Sequence, residues 1–119
     1  MNPNRVTITF FLILMAVASA TAQKNQPQLR TVHGTVVDKQ ENPVSAAIVY
    51  VENKKTKFVR TALTDDRGLY RFSGLDPNVD FEIHAELNGM TSIIHTISTF
   101  DSRNDLDITL KLDKKKGEQ

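Results

Sequence analysis

Glu82, His84 and Glu86 lie two residues apart, so in an extended segment they share one face at spacings of about 6 to 7 Å. An imidazole between two carboxylates offers half of a site for a first-row transition metal. No second His falls at a spacing that completes the set, so the row reads as a solvated strand face, and no metal or other cofactor is expected. His33, at an outward position of the first extended segment, would join it only through tertiary contact. His95 has the parity of Ile93 and Ile97, which predicts a half-buried, hydrogen-bonded imidazole if that face is the inner one. Asp65 and Asp66 precede Gly68, and adjacent acids in a loop suggest Ca²⁺ or an acid and base pair. They lack the alternating oxygen ligands and distant Glu of a Ca²⁺ loop. Asp side chains accept backbone N–H bonds and Gly68 supplies a turn conformation, so these residues read as turn formers. None of Ser45, Ser73, Ser92, Ser98 and Ser102 sits in a strand-to-helix elbow, and the five glycines are scattered singly, which excludes serine hydrolysis and a phosphate loop.

The elements that must position these residues are strands. Apolar residues recur at every second position, as in Leu106, Ile108 and Leu110 alternating with Asp107, Thr109 and Lys111. Phe81, Ile83, Ala85 and Leu87 repeat the pattern, and Asn88-Gly89 follows as a two-residue hairpin turn whose members take positive φ cheaply. Thr61 to Phe72 reads as a hairpin through the Asp65 to Gly68 turn. Strands are predicted near 30 to 38, 46 to 52, 57 to 64, 69 to 73, 80 to 87, 91 to 99 and 105 to 112, with turns at Lys39 to Pro43, Asn53 to Lys55, Asp65 to Gly68, Ser73 to Asn78, Asn88-Gly89 and Phe100 to Asn104. Seven short strands with one wet face each imply an all-β, seven-stranded Greek-key sandwich of two packed sheets.

Residues 1–22 have the physics of a secretory signal peptide: Arg5, a mostly apolar run from Ile8 to Ala18, and small residues at Ala20-Thr21-Ala22. The apolar run is shorter than the roughly 20 residues that span hydrocarbon, so stable membrane insertion after cleavage is not expected. Cleavage would leave 97 of the 119 residues and remove Arg5 alone among the charges, bringing 14 bases against 14 acids. No basic field would remain to gather nucleic acid. Residues 23–29 read as a polar disordered leader, 30–113 as the folded domain, and 114–119, with Lys114-Lys115-Lys116, as a basic flexible tail. Cysteine is absent, so disulfides and thiolate chemistry are excluded and stability must come from the core.

The order of strands and turns resembles the carboxypeptidase regulatory-like domain, a small transthyretin-like β-sandwich that bacteria attach to many exported proteins. The resemblance rests on Gly34, Pro43, Ala47, Val49, Val51, Thr64, Asp65, Gly68, Tyr70 and Phe72, followed by Leu75-Asp76-Pro77 and the apolar strand from Phe81 to Gly89. The chain departs from that pattern mildly at Asn78-Val79-Asp80-Phe81, where the family usually has Gly-x-Tyr. The resemblance implies an accessory module without active-site residues. Related transthyretin-like hydrolases end in Tyr-Arg-Gly-Ser, which Lys116-Gly117-Glu118-Gln119 does not match. The pilin and adhesin repeats that form Lys to Asn isopeptide bonds need a core Lys that the first strand lacks.

The sequence therefore predicts a non-enzymatic, exported sandwich, periplasmic or secreted, that recognises an envelope protein or serves as a structural subunit there. An exposed edge strand would accept a partner strand. The loops Asn53 to Lys57 and Phe100 to Asn104 are further candidate contacts. A glycan is the alternative partner, stacked on Tyr50, Phe58 or Phe100, the aromatics left outside the core and the signal. A surface-metal enzyme built on Glu82, His84 and Glu86 is the remote third reading.

Overall fold

The computed structural model describes residues 28–117. The proposed signal peptide, the leader up to residue 27 and the final two residues lie outside the described residues. Within them the alternation becomes strands: β1 (Arg30–Val37), β2 (Ile48–Asn53), β3 (Val59–Leu63), β4 (Leu69–Leu75), β5 (Phe81–Leu87), β6 (Met90–Thr91), β7 (His95–Ile97), β8 (Asp105–Asp107), β9 (Leu110–Lys111) and β10 (Lys114–Lys115). The smaller sheet runs β4-β1-β8, with β9 continuing the β8 edge, and the larger runs β10-β6-β5-β2-β3, with β7 also on β5. β8 and β9 pair with β1 in parallel, whereas β4 pairs with it antiparallel.

Every second side chain of the long strands faces the space between the sheets. Val32 and Val36 of β1, Tyr70, Phe72 and Leu75 of β4, and Leu106 and Leu110 of β8 and β9 meet Val49 and Val51 of β2, Phe81, Ile83 and Ala85 of β5, and Ile97 of β7. This burial is the driving force of the fold, at about 25 cal/mol for each Å² of apolar surface removed from water.

Where the structure departs from the sequence expectation, a hydrogen bond gives the reason. The single strand expected over 91 to 99 is broken into β6 and β7. The buried Ser92 hydroxyl accepts the Ala85 N–H at 2.9 Å, so a side chain replaces part of the ladder and Ile93 and Ile94 turn outward. The strand expected over 105 to 112 breaks at Ile108, whose N–H donates to the His33 carbonyl and whose carbonyl accepts the Tyr70 hydroxyl at 2.6 Å. β4 runs on to Leu75 through Gly74 at φ 75, where a turn was expected from Ser73, because Leu75 pairs with Arg30 across a register shift. Lys57, at φ 66, belongs to the turn before β3. Lys114 and Lys115, expected in a flexible tail, form β10 against Thr91 and Met90.

Candidate interaction surface

The row of Glu82, His84 and Glu86 does lie on the outer face of β5, but its polar atoms are engaged. The Glu86 carboxylate bonds the His84 ring at 2.9 Å and Lys116 Nζ at 3.0 Å. Its acid form is disfavoured chiefly by the His84 bond and then by Lys116, so its pKa lies below the usual carboxylate value. Glu82 and Glu52 both hold Lys54, at 3.3 and 3.1 Å, and the ammonium pKa is raised by Glu52 first. Tyr50, opposite His84 on β2, stacks on its ring at 4.9 Å between centroids and 11° between planes. The stack covers one face of the Tyr50 ring, so that face is not available to a sugar. His33 pairs with Asp105 at 3.1 Å on the other sheet, and His95 sits half-buried opposite Ile83. Among the described residues no three His, Cys, Asp or Glu side chains converge as a metal group.

The turn residues are structural in their geometry. The Asp65 carboxylate accepts the N–H groups of Leu69 and Arg67, both at 2.9 Å, and these bonds, Leu69 first, lower its pKa. Asp66 is exposed beside it. Gly68 takes φ 76 with its α-carbon so close to β1 that an added Cβ would stand 2.8 Å from the Val36 carbonyl oxygen, which only glycine permits. Asn88 and Gly89 adopt φ 52 and 78, the two positive angles of a tight hairpin turn.

One end of the sandwich gathers the two candidate loops. Asp80 binds both: its carbonyl accepts Lys54 N–H and its carboxylate accepts Thr99 N–H at 2.7 Å. Phe58 and Phe100 are 66% and 96% exposed on these loops. Beneath them Arg30 is 1% exposed, its Nη1 donating to the Ser98 carbonyl, while Nε and Nη2 have no partner among the described residues. The signal in the sequence that places Arg30 inward is its shared parity with Val32 and Val36.

The other exposed feature is β3, which ends the larger sheet. It pairs with β2 over five consecutive positions with no register shift. Asn53 N–H bonds the Phe58 carbonyl and Thr64 N–H bonds the Ala47 carbonyl. The antiparallel alternation then turns the N–H and C=O of Val59, Thr61 and Leu63 to the free side. Val59 and Leu63 are 44% and 68% exposed. Of the other edges, β7 is only three residues long and the rest are blunted. Ser73 of β4 gives its carbonyl to Arg60, whose guanidinium lies over the Phe72 ring. The β8 and β9 edge is interrupted at Ile108 and carries Asp105 and Asp107, and β10 is two lysines long. Short, charged or kinked edges resist pairing, and a flat one invites it.

Two such sheets closed around one apolar core define a transthyretin-like β-sandwich. Residues 31–112 match the carboxypeptidase regulatory-like domain, and the chain belongs to that family. No curated protein matches it in sequence. Among solved structures it is similar to the catechol 1,2-dioxygenase from Acinetobacter sp. ADP1 inhibited by bound mercury (13% identity, TM-score 0.57, 77% of this chain and 54% of that one). It is also similar to BcpA, the major pilin subunit of Bacillus cereus (15%, 0.55, 74% and 31%). A third is the dioxygenase domain of a dioxygenase carbohydrate-binding protein fusion from Streptomyces sp. SirexAA-E (13%, 0.53, 77% and 84%). The match thus spans about half of the first of these chains and under a third of the second. At such identities the likeness is one of fold alone.

Proposed function

We propose that this protein is a non-enzymatic recognition module of the cell envelope, exported by residues 1–22, which accepts an extended strand of a partner protein along β3. The observation that carries the reading is the bulge-free outer edge of β3, with three residues presenting unpaired main chain among the described residues and apolar side chains beside it. Main-chain bonds would supply affinity, and the side chains of Val59 and Leu63 selectivity. Non-enzymatic status is supported by the engagement of every member of the Glu82, His84 and Glu86 row in local pairs. The glycan reading is weakened at Tyr50 by its stacking on His84 and keeps only Phe58 and Phe100.

The test is capture from envelope extract by the tagged protein and by its Thr61→Pro variant. Proline at an edge position removes an outward N–H without touching the β2 ladder. A protein retained by the natural chain and lost with the variant supports the reading. Equal retention by both, or recovery of polysaccharide alone, overturns it.

A further inference from the structure

Resting on the reading of β3 as a strand-accepting edge, we infer that the strand it accepts is β3 of a second copy of this chain, paired antiparallel about Thr61. The segment Val59-Arg60-Thr61-Ala62-Leu63 is complementary to itself under a two-fold axis at its centre. Val59 then faces Leu63 of the other copy, apolar against apolar on the outer face. Thr61 faces Thr61, hydroxyl against hydroxyl, and Arg60 faces Ala62, so no cation faces its own copy. Cross-strand neighbours of these kinds stabilise a sheet, whereas like charges directly opposite destabilise it.

The backbone selects the same register. Val59, Thr61 and Leu63 are the residues whose N–H and C=O point outward, so hydrogen-bonded pairs can form only among them. Centring on Thr61 uses all three, each pair exchanging two bonds, for about six in total. Centring on Ala62 pairs only Thr61 with Leu63, for about four bonds. Centring on Arg60 also gives about four and sets two guanidiniums opposite each other. Arg60 is moreover drawn back toward its own Ser73 carbonyl at 2.8 Å, which clears the seam. The product is one continuous sheet crossing both molecules, and the exposed surfaces of Val59 and Leu63 cover each other. A contact one strand wide is smaller than the ~1,200 Å² of a stable interface, so the dimer is a reversible one.

The experiment is sedimentation equilibrium of the protein purified from its host cells, at up to about 100 µM, a range suited to a small interface. The expected result is a monomer–dimer equilibrium that Thr61→Pro weakens at least about tenfold, with its circular dichroism unchanged. Because the chain has no cysteine, Thr61→Cys gives a second readout that does not depend on the proline variant folding. Hydrogen-bonded partners stand about 5.5 Å apart at Cα, within disulfide range, so oxidation should join two Thr61→Cys chains and leave Lys114→Cys chains, at the opposite edge, as monomers. A natural chain that stays monomeric, a Thr61→Pro variant that dimerises equally well, or equal cross-linking at both edges overturns the inference. If the natural chain is monomeric yet Thr61→Pro abolishes capture of an envelope protein, the edge reading stands and only the second-copy assignment falls. If Thr61→Pro changes neither oligomeric state nor capture, both fall.

Discussion

Replacing Gly34 by Ala should unfold much of the smaller sheet. A Cβ at position 34 would overlap the Ile108 carbonyl oxygen and stand 2.7 Å from its carbon and 3.2 Å from its nitrogen, all of them backbone. Ordinary contact needs about 3.4 Å or more between such atoms, so the chain between β8 and β9 must back away from β1. Ile108 is held there by its own N–H on the His33 carbonyl at 2.9 Å and by the Tyr70 hydroxyl on its carbonyl at 2.6 Å. Losing both bonds costs about 2 kcal/mol. Loosening the fully buried Leu106 and Leu110 on either side adds about 1–3 kcal/mol, the usual range for overpacking. The total of about 3–5 kcal/mol corresponds to a melting temperature at least about 12 °C lower for a domain of this size. Thermal and urea unfolding followed by circular dichroism, with Thr35→Ala as the neighbouring control, would measure it. A Gly34→Ala variant melting within about 4 °C of the natural chain would refute the close approach of Ile108 to β1.

Three further outcomes follow from buried or paired groups. The Tyr70 pKa is raised by burial and secondarily by Asp107, so folded Tyr70 keeps its proton where the unfolded residue, with its pKa of about 10, ionises. Its contribution to stability is complete below that pH and declines above it. Tyr70→Phe should cost about 1–2 kcal/mol at neutral pH and flatten the loss of urea resistance between pH 9 and 11; identical alkaline slopes for both chains would contradict this. The buried Thr64 hydroxyl accepts Ala47 N–H at 2.9 Å and donates to the Val44 carbonyl at 2.7 Å. Thr64→Val should therefore cost about 2–4 kcal/mol in urea unfolding, with Thr64→Ser close to the natural chain; a loss larger in Thr64→Ser than in Thr64→Val would place the effect in the methyl group instead of the hydroxyl. Glu86 has a depressed pKa in the fold, so its contribution is present above its unfolded value of about 4.3 and is lost as pH falls through the folded one. Glu86→Gln should reduce the acid sensitivity of melting between pH 6 and 3, and unchanged sensitivity would remove His84 and Lys116 as its causes.

The strands were legible because a half-buried sheet repeats every two residues, and a period of two is visible without coordinates. The turns at Asn88-Gly89 and Asp65 to Gly68 were legible because positive φ and backbone-accepting carboxylates demand few residue types. The breaks in the sixth and seventh strands were not, since they depend on Ser92 meeting Ala85 and on Ile108 meeting Gly34 and Tyr70 across the fold. The same limit governs the surface. The sequence could list Glu82, His84, Glu86 and Tyr50 as outward residues, but not that Lys116, His84 and Lys54 would occupy them.

By itself, then, the sequence determined most of the inward residues of the long strands, most of the places where the chain reverses, and the family, because each follows from local chemistry read along one strand or turn. Only the tertiary structure decided that β3 stands at the end of its sheet with three residues of main chain outward, that Arg60 covers its neighbour's edge, and that Asp80 joins the two loops at one end. Strand order is a property of pairings between distant segments, whose main-chain groups are alike in every residue, so side-chain pattern alone does not encode it.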